Sequence, residues 1–180
     1  MSLELLDEIR LMITSVSPAG LGPKSRADAW AEGEVNARLD GAFAKFGTPR
    51  NGELVRSLIL LWHDHLDASH NISQSEDNRD GSLIHAIMHR REPDYSNAKY
   101  WWRATGTHPC FAELASRLAG LKELEEPLRE RILPKGQWDA FAFTDAVAAG
   151  IREPADSQIH SALRAIQQIE SLVAVEHLLS

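Results

Sequence analysis

The chain has 180 residues, 43% hydrophobic and 25% charged, enough to enclose one core and too few to require two domains. Its net charge of -7 and the lack of a basic run argue against broad phosphate-backbone binding, which draws its affinity from clustered Lys and Arg, so nucleic acid is not expected as a partner. A single cysteine, Cys110, excludes an internal disulfide and a cysteine-only metal cage and fits a reducing cytoplasm.

In chain order, Leu3, Leu5, Leu6, Ile9, Met12 and Ile13 recur at near-helical spacing and predict a first helix. Acidic residues in this stretch, where a secretory leader would carry positive charge, argue against export. Two prolines and two glycines over residues 17–23 end the pattern. Residues 25–46, rich in Ala, Glu and Arg, predict a second helix, and residues 53–74 a longer third one with Leu54, Leu58, Leu61, Trp62 and Ile72 as its apolar stripe. The longest apolar run, Leu58-Ile59-Leu60-Leu61-Trp62, falls far short of the roughly 20 residues that span a bilayer, so neither a membrane partner nor a site outside the cytoplasm is expected.

Residues 75–81 read as a polar loop, with Asp80 or Ser82 capping a helix that Pro93 ends near Glu92. Ser96 is a plausible cap for a short helix through Tyr100, Trp101 and Trp102, closed by Gly106 and Pro109. Further helices are predicted over residues 111–124, just before Pro134, around Trp138 to Gly150, and from Asp156 onward with Ile159, Leu163, Ile166, Ile169 and Val173 on one stripe. No period-two alternation or βαβ rhythm occurs. The chain is therefore expected to form a single all-α domain of seven to nine helices.

His85 and His89 stand four residues apart and share a helix face, with Glu92 three further on. Two imidazoles and a carboxylate form a ligand set for zinc, iron or manganese with open coordination positions. On the preceding helix, His63, Asp67 and His70 fall on one flank, while His65 points towards the core and is expected to hydrogen-bond a neighbour. A hairpin about residues 75–81 would bring the His70 end to the His85 end. His70, His85, His89 and Glu92 are thus the expected metal ligands, and Asp67 or His63 the group that takes a proton. Arg90, Arg91, Asn97 and Tyr100 are candidates to orient an anionic ligand, although either arginine could instead pair with an acidic neighbour and pin the turn. Trp101 and Trp102 could wall a pocket or fill a core. Cys110 reads as a small buried residue, and His160 and His177 as surface residues of the last helix.

The segment from Trp62-His-Asp-His-Leu-Asp67 through His85-Ala-Ile-Met-His89-Arg-Arg-Glu-Pro-Asp94-Tyr-Ser-Asn97-Ala-Lys-Tyr100-Trp-Trp, with Thr107-His-Pro109 and Trp138-Asp-Ala-Phe141, resembles a family of small, functionally uncharacterised bacterial and fungal proteins. The resemblance covers residues 55–145, implies a self-contained domain and assigns no residue a role.

No nucleophile elbow, phosphate loop, dinucleotide fingerprint or H-E-x-x-H motif is present. The histidine-rich pocket points to a metal-dependent hydrolase acting on a small anionic molecule through a metal-bound water. A carboxylate- or phosphate-binding module without catalysis, and a structural protein with a buried histidine network or a homo-oligomer interface, are the alternatives.

Overall fold

The computed structural model describes residues 3–122 and 124–180, so Glu123, near the expected end of the 111–124 helix, lies outside the described residues. The described residues form ten α-helices and no strand: α1 (Leu3–Thr14), α2 (Glu32–Phe46), α3 (Gly52–Trp62), α4 (Leu66–Ser73), α5 (Arg79–Arg91), α6 (Tyr95–Thr105), α7 (Cys110–Ala119), α8 (Leu128–Ile132), α9 (Ala140–Gly150) and α10 (Gln158–Leu178). The all-α expectation holds. No helix among the described residues is long and apolar enough to cross a membrane.

α5 is the axis of the molecule. Every residue from Gly81 to Arg91 is buried, because α3, α4 and α6 pack around it and α10 meets it through side-chain pairs. Its start is capped by Asn78, whose side chain accepts from the Gly81 N–H at 2.8 Å, not by Asp80 or Ser82. Asp94, not Ser96, caps α6 by accepting from the Asn97 N–H at 3.1 Å. The apolar side of α5, with Leu83, Ile84, Ile87 and Met88, joins Leu58, Leu61, Phe143, Leu163 and Ile166 in one continuous core.

Three predicted helices are shorter than expected: the 111–124 helix ends at Ala119, and the other two are cut for related reasons. The 53–74 helix is broken at residues 63–65, where Asp64 takes a positive φ of 69°. Asp64 is held there by two arginines: Arg91 Nη2 donates to one carboxylate oxygen at 2.7 Å and Arg26 Nε to the other at 2.9 Å. The same carboxylate accepts the Arg26 backbone N–H at 2.9 Å. Burial raises the Asp64 pKa, but these donors outweigh it and leave the carboxyl below its ordinary range. The 25–46 helix begins only at Glu32, because the backbone donors of Arg26 and Trp30 are committed to Asp64 and to His63 Nδ1. Local helix propensity loses to tertiary hydrogen bonds in both places.

A second buried charge pair fixes α5 to α10. Arg90 donates both terminal guanidinium nitrogens to Glu170, one at 2.9 Å and the other closer still, with side-chain exposures of 0% and 3%. The guanidinium also lies over the Phe143 ring, 4.6 Å from its centroid.

Candidate functional site

The turn between α4 and α5 places His70 against the face of α5 that carries His85 and His89. Centroid separations are 4.7 Å for His70 to His85, 5.2 Å for His70 to His89 and 4.7 Å for His85 to His89. One ring nitrogen from each of the three lies within 4.8 Å of the others. Trp101 of α6 closes the site, stacked on His85 at 4.0 Å and 21°. His85 is therefore held between an indole and a second imidazole.

Both His85 nitrogens are buried and lack a hydrogen-bond partner. Leaving such groups dry costs on the order of 1–3 kcal/mol each, so the arrangement is one that a bound species would relieve. Burial, reinforced by His89 and His70, pushes the His85 imidazole down to about 4, which keeps it neutral and able to donate a lone pair at ordinary pH. His89 is also shifted down by burial, against the opposing pull of Glu92. Glu92 Oε2 sits 3.0 Å from His89 Nδ1, which fixes the proton there and turns the Nε2 lone pair inward. The Asn97 amide nitrogen is 3.1 Å from that Nε2.

Several expected site residues lie elsewhere. His63 is not a reserve ligand or proton acceptor: the break at residues 63–65 turns it away from His70, its Nδ1 accepts the Trp30 N–H at 3.0 Å, and its Nε2 donates to the Met12 carbonyl at 2.9 Å. Asp67 is exposed on the first turn of α4, beside an open depression it shares with Asp64 and Glu92, and does not face the histidine cluster. Arg90 and Arg91 are buried ion-pair members rather than anion-binding forks, because Glu170 takes both terminal nitrogens of Arg90 and Asp64 pairs with Arg91. Tyr100 is 60% exposed and meets only the edge of Trp101 among the rings, which leaves its hydroxyl outside the site. Glu92 is a hydrogen-bond partner of His89 and not part of the converging nitrogen set. His65, as expected, bonds a neighbour, the Trp30 carbonyl at 2.8 Å.

Sequence reasoning missed a second convergence. Asp80, His108 and His177 meet although they are far apart in the chain, so His177 is not a bystander on the surface. No spacing rule could have joined them. Burial pushes the Cys110 thiol up to about 12, which agrees with an unreactive, protonated residue.

A separate groove of about 400 Å³ runs between α1 and α2, lined by Trp30, Arg38, Lys45 and Phe46 with Glu8 at its edge. Arg38 lies 4.2 Å from the Trp30 ring centroid, a ring also stacked on His63 at 4.6 Å, and Lys45 lies 4.6 Å from that of Phe46, so two cation–aromatic pairs line it.

No family model matches the chain, and no solved structure does. Among curated proteins it is similar to the large ribosomal subunit protein uL18 of Aeropyrum pernix, 30% identical over 149 residues, which cover 78% of this chain and 64% of that protein. The chain thus spans less than two thirds of the relative's length. This similarity overturns the expectation of a metal-dependent hydrolase acting on a small anionic molecule. A relative named for the ribosome also overturns the exclusion of nucleic acid that net charge had suggested, since charge summed over a chain does not report where its cations stand.

Proposed function

We propose that this chain is a non-catalytic structural protein of an RNA-containing assembly of the ribosomal kind, placed where ribosomes are, in the cytoplasm. The observation that carries the reading is the 30% identity to a ribosomal subunit protein over 149 residues. The α1–α2 groove supports it physically. Single-stranded or unpaired RNA is held by aromatic faces on which bases stack and by cations that meet phosphates; Phe46 and Lys45 supply one of each, and Arg38, which lies over Trp30 and pairs with Glu34, adds a second cation. With a net charge of -7, binding rests on this local set and is weak in salt. Sedimentation of the tag-free protein with ribosomal particles tests the proposal. Co-sedimentation at low salt, reduced by Arg38→Ala with Lys45→Ala, is expected; a protein that stays in the supernatant at every salt concentration rejects it.

A second reading concerns the histidine cluster, and the unpartnered nitrogens of His85 favour it. His70, His85 and His89 would hold a divalent cation such as zinc, iron or manganese as a structural pin between α4 and α5. Ligand nitrogens about 2.0–2.1 Å from zinc stand roughly 3.4 Å apart, so binding draws the rings closer together than they stand here. Glu92 would orient His89, and Asn97 would give up its contact with Nε2. Elemental analysis of tag-free protein is expected to find metal that falls by one equivalent in His70→Ala. An unchanged metal content in that variant dismisses the site.

A further inference from the structure

We propose that Asp80, His108 and His177 form a divalent-cation site independent of both the RNA reading and the His70 cluster. The three residues come from the first turn of α5, the segment before α7 and the last turn of α10. Asp80 Oδ1 lies 2.9 Å from His108 Nε2 and 3.0 Å from His177 Nε2, and the two imidazoles meet edge to face with centroids 4.7 Å apart. Two imidazoles and one carboxylate suit zinc, manganese or ferrous iron and leave coordination positions open.

At 2.9 and 3.0 Å the two contacts are hydrogen bonds in the absence of a cation, and the same spacing lets one enter with little rearrangement. Ligand atoms bound at about 2.0–2.1 Å in tetrahedral geometry stand roughly 3.4 Å apart, so the two carboxylate-to-imidazole distances need widen only slightly. The proton balance also works. In the cation-free form each Nε2–H donates to Asp80, and the Cys110 thiol, 3.0 Å from His108 Nδ1, donates to that nitrogen. In the loaded form His108 carries its proton on Nδ1, Cys110 Sγ accepts it, and the 3.4 Å contact from the Cys110 backbone N–H to that nitrogen opens. His177 moves its proton to Nδ1 likewise. No proton need leave either ring.

Access is built in on one side only. His108 is 1% exposed at its side chain, whereas Asp80 and His177 are about a quarter exposed and border a depression of about 500 Å³ with Asn51 and Arg50. A cation entering there would tie the start of α5 to the end of α10.

Titration with cobalt(II) as the probe, followed by its visible absorption, tests the site in the full chain. The wild type is expected to show an equivalent that His177→Ala and Asp80→Asn each weaken by at least about tenfold, while His70→Ala leaves that equivalent in place. His177 is partly exposed and Asp80→Asn preserves shape, so both variants can be checked for a native circular dichroism spectrum. Wild-type protein that binds no cobalt overturns the proposal. So do folded variants that bind the same equivalents as the wild type. Loss of an equivalent in His70→Ala alone would support the other cluster and reject this one.

Discussion

His85 lies face to face with Trp101, ring centroids 4.0 Å apart and planes 21° from parallel, and this stacking seals the imidazole from water. Because burial is the largest cause of the depressed His85 pKa of about 4, opening that face should raise it. In Trp101→Ala the His85 imidazole is expected to titrate closer to the ordinary value of 6.5, followed by proton chemical shifts against pH. A folded variant whose His85 still titrates near the wild-type value would remove Trp101 from the account.

The Arg90–Glu170 pair should behave as a unit. Arg90→Met leaves the Glu170 carboxylate buried without its bidentate partner and is expected to cost about 3–5 kcal/mol in urea unfolding. Replacing both residues, as Arg90→Met with Glu170→Leu, should recover most of that loss, because no unpaired charge remains. Losses that simply add in the double variant would show that the two side chains do not depend on each other.

His63 predicts a pH dependence of stability with a definite sign. Its pKa falls from 6.5 to about 4 in the folded chain, chiefly through burial, and the Trp30 N–H already occupies the Nδ1 lone pair that would take the proton. Between those two values the unfolded chain binds more proton than the folded one, so stability rises with pH. The contribution, on the order of 3 kcal/mol, is complete above about 6.5 and is lost as pH falls towards 4. His63→Gln should be less stable at pH 7 yet show a shallower slope in urea midpoints across that window. An identical slope would assign the acid sensitivity to other groups.

Two glycines in helices should respond oppositely to alanine. At Gly81 an added Cβ would collide with the carbonyl oxygen and Cβ of Glu76, so Gly81→Ala must displace the 76–81 turn and is expected to destabilise by about 2 kcal/mol or more. Gly41, exposed on α2, has nothing within 4 Å of such a carbon. Gly41→Ala should therefore add about 0.5–1 kcal/mol by favouring the helix. Thermal unfolding of the pair checks both signs, and a neutral Gly81→Ala would show that the turn yields freely.

Helical periodicity was enough to read the all-α class, the apolar stripes of α1, α3 and α10 apart from the exposed Leu3 and Ile159, and the shared face of His85 and His89, because these depend on residues within one or two turns of each other. The hairpin argument also led from the loop at residues 75–81 to the approach of His70. Where contacts are set by remote partners, local pattern failed. The 53–74 run breaks because Asp64 answers to Arg26 and Arg91, and that break alone moves His63 out of the frame it would share with Asp67 and His70 on an unbroken helix. Arg90 and Arg91 look free in a row of charges, yet Glu170 and Asp64 consume them from 80 and 27 residues away. Asp80, His108 and His177 became a cluster only when α5, α7 and α10 packed. A side chain's neighbours within a helix are written in its spacing, whereas its partners across the core depend on which buried charges must be paired once water is gone.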